Sequence, residues 1–348
     1  MTPRLKRVTI KDVAARAGVS PSAVSIALNG KGESLPEKTR ERIRAAADEL
    51  DYRPDYSARA MVTGKTHIVG IVLPDISNPF FAQLVGQIQT ALAARGYDVM
   101  LCNSGEKAEN DLHSIRLLAG RGVDGLILAP ASESLTADGA ANLRKVLAGA
   151  RLPVLFLDRC YEGGMPRVSV DNEDSGYRMA QYLLRMGHTK IGVVTGPLVL
   201  NSSRNRLRGV LRALEEKNLS LPEAYIYEGR CDAKSGILGA EKLLKTDVTT
   251  IFAFSDVQAC GVYKRLFESG KRIPEDISVA GFDDTFYSAV CVPPLTTMRQ
   301  PLGEISAAAC RLLSKMMEGG GAEEEVCVPA DLVVRGSVKR LHDNFEKQ

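Results

Sequence analysis

From residue 66 onward, apolar runs of strand length alternate with stretches of helix length, and only a few architectures suit that alternation. Residues 68–73, 98–102, 125–129 and 154–157 read as strands, with helices over 80–95 and 111–120 among them. A second series follows, with strands over 191–194, 225–227, 250–254 and 277–280 and helices from 204, over 233–244 and up to Gly270. The strands are near-continuous Val/Ile/Leu runs, as in parallel sheets covered on both faces. Two such series imply two α/β lobes with parallel sheets. Ligands of such sheets bind beyond the carboxyl ends of strands, so the cleft between the lobes is the expected site. Asp75 to Phe81, Asp158-Arg159, Ser255-Asp256 and Asp283-Asp284 all stand at strand ends. Each alone is ordinary turn chemistry; four strands delivering them to one cleft is less ordinary.

The first 65 residues stand outside this pattern. They hold 13 Lys/Arg against 8 Asp/Glu, whereas the remainder holds 32 against 34. A basic head on a near-neutral body suggests a polyanionic partner. Thr9 is placed to N-cap a helix, with Asp12 at its dipole-favoured third position. Ile10, Val13, Ala14 and Ala17 recur at helical spacing, and Gly18 suits a left-handed stop. Ser20 caps a second helix whose first position is Pro21, with Val24, Ala27 and Leu28 inward. This is the helix-turn-helix layout. A third helix is expected over 36–50, with Thr39, Ile43, Ala46, Ala47 and Leu50 inward and Arg40, Arg42 and Arg44 outward. A plain three-helix bundle is the competing reading. The small size, the basic charge and the small polar outer face of Ser22, Ser25 and Asn29 favour DNA. Residues 54–65 allow one short helix ending at Gly64. Helices under about 12 residues are marginal in water, so this segment is either a flexible linker or one that orders on a partner.

A chain of 348 residues, 45% of them apolar, suggests two or three domains with real cores. No apolar run nears the roughly 18 residues of a membrane span, and residues 1–8 lack the apolar stretch of a signal peptide. A cytoplasmic protein is expected. The seven cysteines form no C-x-x-C pair and read as buried reduced thiols rather than a metal site. No P-loop, G-x-S-x-G or H-E-x-x-H motif occurs, and the four histidines are far apart. His188, just before a strand, reads as structural. Asp158 and Asp283 could in principle pair as acid and base, but no nucleophile or metal site accompanies them, so an enzyme is not expected, nor any cofactor.

The segment Val8-Thr9-Ile10-Lys11-Asp12-Val13-Ala14, Ala17-Gly18-Val19-Ser20, Val24-Ser25 and Leu28-Asn29-Gly30 resembles the opening of the LacI/GalR family of bacterial repressors. So does Arg40-Glu41-Arg42-Ile43 leading to Leu50-Asp51-Tyr52-Arg53-Pro54, and the likeness runs along nearly the whole chain. It implies that the second helix lies in the major groove. Pro21, Ser22 and Ile26 would then face base edges, with Asn29 beside the backbone. Thr9, Ser20, Ser25 and Tyr52 would contact phosphates, which position without specifying. Ile26 departs from the polar reader of many members and could only pack on an apolar edge such as a thymine methyl. By the same resemblance, 54–65 is a hinge helix that orders on DNA. Met61 would be its minor-groove wedge in place of the usual Leu, and Arg59 would reach bases or phosphates.

The body resembles the family's core and the periplasmic sugar-binding proteins. The likeness implies an effector pocket lined by Asn78, Phe80, Phe81, Asp158, Arg159, Arg206, Asp283 and Gln300. Carboxylates and Arg would bond hydroxyls, and Phe rings would stack on an apolar ring face. Ser255, where Asn is usual, and Cys231, near a position often aromatic, depart from the pattern and reduce polar or stacking capacity. The segment Pro293-Pro294-Leu295-Thr296-Thr297-Met298-Arg299-Gln300-Pro301 resembles one that crosses back to the first lobe. The expected organisation is thus a helix-turn-helix domain over 1–53, a hinge over 54–65 and a core over 66–348. Lobe one would span about 66–170 and 297–329, and lobe two about 171–296 and 330–340. The tail at 341–348 is too short for a coiled coil, so a homodimer rather than a tetramer is expected. The function implied is a repressor of transcription on a near-palindromic operator, under allosteric control by a small molecule, sugar-like or related. A free transport-type sugar receptor is the other binding class; the basic head argues against it.

Overall fold

The computed structural model describes residues 8–28, 35–53, 64–161, 163–321 and 325–341. Asn29, Arg59 and Met61, and with them most of the expected hinge, lie outside the described residues. The chain divides into two units, Met1–Thr66 and His67–Gln348.

The head contains α1 (Ile10–Ala17), α2 (Pro21–Leu28) and α3 (Glu37–Glu49). Its start is set locally. The Thr9 backbone N–H and hydroxyl both donate to the Asp12 carboxylate, at 2.8 and 2.7 Å. Gly18 takes φ 63°, a conformation that costs any other common residue energy. This lets Val19 N–H reach back to Ala14 O at 3.0 Å. Ser20 Oγ then accepts from Ala23 N–H at 3.2 Å and opens α2. Val13, Ala14, Ala17, Val24, Ala27, Ile43, Ala46 and Ala47 form the small core, with Leu50 and Tyr52 partly buried against it. Arg42 and Arg44 are exposed as expected, whereas Arg40 is half-buried because it folds back onto Glu37 one turn earlier.

The second unit begins with β1 (Ile68–Leu73), α4 (Pro79–Ala93), β2 (Asp98–Asn103), α5 (Ala108–Gly120), β3 (Gly125–Leu128), α6 (Ala137–Ala150), β4 (Val154–Leu157) and β5 (Arg167–Val170). It continues with α7 (Asn172–Arg185), β6 (Ile191–Thr195), α8 (Asn201–Glu215), β7 (Ile226–Glu228), α9 (Ala233–Leu243), β8 (Thr250–Ala253), α10 (Asp256–Glu268), β9 (Ser278–Asp283) and α11 (Phe286–Val290). β10 (Thr296–Arg299), α12 (Leu302–Met317), β11 (Glu325–Val328) and β12 (Asp331–Val333) complete it. One sheet has the order β11-β5-β4-β3-β1-β2 and is parallel throughout. The other has the order β12-β10-β9-β8-β6-β7 and is parallel except for β12.

The chain therefore passes between sheets three times, after β5, after β10 and after β11. The second passage falls later than residue 297. Thr297, Met298 and Arg299 are still paired with Gly281, Phe282 and Asp283 of β9, and Gln300-Pro301 makes the return. The cysteines also differ from expectation. Cys160 and Cys310 are buried, but Cys102, Cys231, Cys260 and Cys291 are half-buried and Cys327 is exposed. Cys327 lies on β11, an edge strand that faces solvent on one side, so its apolar character does not carry it inward.

Two helix pairs of the second lobe cross at glycines. A Cβ on Gly176 of α7 would lie 2.2 Å from Arg206 O of α8, and one on Gly209 would lie 2.0 Å from Glu173 O. Gly236 of α9 and Gly261 of α10 are matched in the same way, each 2.0 Å from a backbone carbonyl of its partner helix. The helices pack backbone to backbone there, and no side-chain rotation can relieve an added methyl. Gly209→Ala is expected to destabilise the core unit by about 2–3 kcal/mol, read as a lower urea midpoint; unchanged stability would show that α7 and α8 are not in such contact.

Candidate functional site

The first sheet sends three strand ends into one region. After β1, Asn78 N-caps α4 by accepting from Phe80 N–H at 3.0 Å. This turns Phe80 and Phe81 inward as an edge-to-face pair with centroids 5.0 Å apart. After β4, Asp158 takes φ 62°, a strained geometry for a non-glycine residue, and Arg159 follows it into the interior. The Arg159 guanidinium lies 5.5 Å from the centre of the Phe81 ring. It donates to Glu106 Oε1 at 2.7 Å. Glu106 stands beyond β2 and is held by Ser132 N–H at 2.8 Å.

The second sheet supplies the opposing wall. Asp283 ends β9 at φ 116° and accepts from Gln300 Nε2 at 2.7 Å. Arg206 comes from α8. Its Nε donates to Asn172 Oδ1 at 2.7 Å, its Nη1 donates to the Phe254 carbonyl, and its guanidinium covers the Phe282 ring at 3.4 Å. Ser255 caps α10, accepting from Gln258 N–H at 3.2 Å. Cys231 also lines this cavity.

All ten residues expected at the pocket, including Cys231 and Ser255, line one cavity, joined by Ser202, Ser203 and Phe254. Its volume is about 30 Å³, room for about one water. Three buried polar atoms at its wall have no hydrogen-bond partner: Asp158 Oδ1, Arg159 Nε and Gln300 Oε1. Native interiors rarely leave such atoms unpaired, so the cavity offers two acceptors and one donor to an occupant. Burial pushes the Asp158 carboxyl up, against the pull of Arg206 and Arg159. Burial, with Asp256 adding to it, pushes Asp283 well above the usual carboxylate range. Burial lowers Arg206 from its ordinary value. Burial thus makes the charged form of both carboxyls less favourable than it would be at the surface. The Cys231 thiol is pushed up to about 11 by burial, so it is a neutral thiol and a poor nucleophile. A larger surface groove of about 540 Å³ between α5 and α6 is lined by Leu112, Arg116, Lys145 and Val146 among others and has no carboxylate.

Sequence reading missed Glu106, Asn172, Ser202, Ser203 and Phe254. The strand-end rule applied to β2 would have pointed to Glu106. Asn172 and the two serines lie on helices and carry no such mark. Asp256, noted at a strand end, is structural: it accepts from Thr285 N–H and the Thr297 hydroxyl, both at 2.7 Å, and from the Thr285 hydroxyl at 3.2 Å. Burial raises it to about 7.

In the head, Pro21 and Ser22 are exposed and Ile26 is 36% exposed, on the side of α2 away from the small core. Thr9 and Ser20 are exposed at helix starts, and Ser25 is half-buried.

The sequence profile of bacterial regulatory proteins of the lacI family matches residues 9–55, and that of the periplasmic binding protein-like domain matches residues 180–338. The HTH-type transcriptional regulator DegA of Bacillus subtilis (strain 168) is 32% identical over 339 residues, spanning 97% of this chain and 99% of its own. The Lac repressor dimer bound to operator and the anti-inducer ONPF superposes with a TM-score of 0.82 at 28% identity, covering 96% of this chain and 100% of its own. The transcriptional regulator CelR in complex with cellobiose gives 0.72 at 29% identity, covering 95% and 100%. A helix-turn-helix head followed by a two-lobed periplasmic-binding-protein-like core is the architecture of a DNA-binding transcriptional regulator. This chain belongs to the LacI family of bacterial regulatory proteins.

His188 is buried away from this cavity. Its Nε2 faces Lys339 O at 3.0 Å and its Nδ1 faces Thr249 Oγ1 at 2.9 Å. A carbonyl only accepts, so Nε2 carries the proton and Nδ1 accepts from threonine. Burial lowers its pKa to about 4. The unfolded chain, with an ordinary histidine near 6.5, binds more protons between these values. The resulting stability is complete above about pH 6.5 and is lost as pH falls towards 4. Between pH 7 and 5 this group should cost roughly 1–2 kcal/mol. Urea midpoints over that range should fall less steeply in His188→Gln than in the parent; parallel slopes would refute the assignment.

Proposed function

We propose that this protein is a ligand-controlled repressor that binds a near-palindromic operator as a homodimer and takes a small polar metabolite, a sugar or a close relative, in the cavity between its lobes. The observation that carries this reading is the convergence of strand ends from both sheets on one cavity whose wall holds unpaired buried acceptors and a donor. Such a site recognises hydroxyl patterns by hydrogen bonding. Its neutral thiol, a poor nucleophile, fits binding rather than catalysis. No cofactor is required.

The cavity of about 30 Å³ is smaller than the few hundred cubic ångströms that enclose a typical ligand. An effector therefore enters by parting the lobes or turning their side chains. Motion of one lobe against the other is then the link to the head. An effector that changes operator affinity 100-fold needs about 2.7 kcal/mol of coupling. The related Lac repressor was solved as a dimer on operator. In this chain, edge strand β2 leaves Met100 36% and Leu101 42% exposed, the kind of unpaired apolar edge that a second copy covers. In this reading Pro21, Ser22 and Ile26, exposed on α2, face base edges, and Thr9, Ser20, Ser25 and Tyr52 contact phosphates. Asn29, Arg59 and Met61 complete the contact set from outside the described residues. No helix among the described residues is long and apolar enough to cross a membrane, and a repressor works in the cytoplasm, where bacterial DNA lies.

Selection from random duplex pools should recover a near-palindromic site at physiological salt; absence of any sequence preference would remove the regulator reading. A thermal-shift screen of sugars, polyols and sugar acids should then find a compound that raises the melting temperature of the core. Asp283→Ala should abolish that shift and the effector's action on operator binding, while operator affinity stays within a few-fold of the parent. A surviving response would move the effector site elsewhere.

A further inference from the structure

The loop between β6 and α8 starts in the second lobe and ends in the first. Its base is fixed at home: Leu198 N–H donates to Glu228 Oε1, at the end of β7, at 2.8 Å, and Leu200 N–H donates to Pro197 O at 3.0 Å. Its last residue, Leu200, is 1% exposed and sits in a buried apolar cluster. Every other buried member of that cluster comes from the first lobe, between Val72 and Tyr161. Val199 is partly buried against the same cluster. Beside Leu200, Cys160 N–H donates to Asn201 Oδ1 at 3.2 Å, a direct bond from one lobe to the other. The receiving side is held independently. Tyr161 packs edge-to-face on Phe156 with centroids 5.1 Å apart, and the Arg144 guanidinium lies 4.4 Å above its ring.

Local chemistry does not explain a leucine at this position. Leu200 is the N-cap of α8 and makes no side-chain cap bond, whereas Ser, Thr, Asp and Asn are favoured there because their oxygens satisfy the first helix N–H groups. Asp171, Asp232 and Ser255 follow that rule at the starts of α7, α9 and α10. Leu200 forgoes the cap and instead removes an apolar side chain from water across the lobe boundary. That burial is favourable only while the lobes are together.

We propose that Leu200 is a latch, an anchor of the second lobe seated in the apolar core of the first, which holds the lobes closed over the cavity. Ser202, Ser203 and Arg206 line the cavity from the same helix, so withdrawing Leu200 draws that wall away from Asp158 and Arg159. A ligand reaches the cavity only while the latch is out, and its hold therefore sets the fraction of molecules open to ligand. This consequence rests on the effector reading above; the latch itself does not, and its test needs no ligand.

The full-length protein carries its own probes for the test. Cys160 is buried in the same cluster, at the bond to Asn201, so parting the lobes uncovers it. Cys310 is wholly buried on α12, its thiol facing Ile88 O of α4 at 3.8 Å within the first lobe, so only unfolding uncovers it. Both are followed by N-ethylmaleimide labelling of the native protein and peptide mass spectrometry. Leu200→Ser supplies the missing cap and removes the anchor. Cys160 should then label roughly ten- to a hundredfold faster than in the parent, the change that follows from losing a buried leucine, with Cys310 unchanged. Leu200→Met keeps the anchor without adding a cap, and Cys160 should stay within about threefold of the parent rate. Should the serine disturb folding, as checked by circular dichroism, Leu200→Val gives the same pattern with a smaller acceleration. The proposal is overturned if Cys160 labels at the parent rate in Leu200→Ser, or if Leu200→Met speeds it as much as the serine does. It is equally overturned if Cys310 accelerates as much as Cys160, because Leu200 would then support folding in general and not closure.

Discussion

The buried guanidinium of Arg206 ties the second lobe to its cavity. A charge removed from water must be matched by hydrogen bonds and opposite charge. Here Asn172, the Phe254 carbonyl, the Phe282 ring and the nearby Asp283 supply them. The match depends on how closely α7 and α8 approach. Gly176 lies against the backbone carbonyl of Arg206 itself, and Asn172, one turn earlier on α7, is thereby brought to the guanidinium. The glycine crossing thus places the arginine, and the arginine fixes the polar wall.

The first lobe solves the same problem with a different partner. Arg159 is buried against Glu106, a residue from a neighbouring strand end. Both lobes therefore present a rigid, pre-oriented guanidinium to the cavity, and both end a strand in a carboxylate with positive φ, Asp158 and Asp283. Such backbone persists only where its surroundings over-determine it, and here the surroundings are the two arginines and the paired strands beneath them. Strain, burial and unpaired polar atoms concentrate at one place, the combination expected where a ligand completes the hydrogen bonding.

Much of this was legible in the residues. The capping chemistry of Thr9, Asp12, Gly18 and Ser20 is local, so the first two helices of the head could be read nearly to the residue. The apolar runs of β1 and β4 announced themselves because both faces of a parallel sheet are buried. Every residue assigned to the pocket through family likeness lines one cavity, since the sheet geometry carries strand ends to a common edge. Other features did not show. Arg40 sits on the polar stripe of α3 yet is half-buried and folds back onto Glu37. The cysteines look apolar in composition, but their burial depends on which edge of a sheet each one meets. Glu106 and Asn172 have no signature because their role is to satisfy another residue's charge.

By itself, the sequence determined the periodic elements, the helix-turn-helix head and the chemistry available at strand ends, because these follow from near-neighbour sterics, hydrogen bonding and the burial of apolar runs. Only the tertiary structure decided where β10 pairs, how small the cavity between the lobes is and which partner neutralises each buried arginine. Those outcomes hinge on contacts between residues far apart in the chain, whose spacing is set by packing to within an ångström and leaves no periodic trace along the sequence.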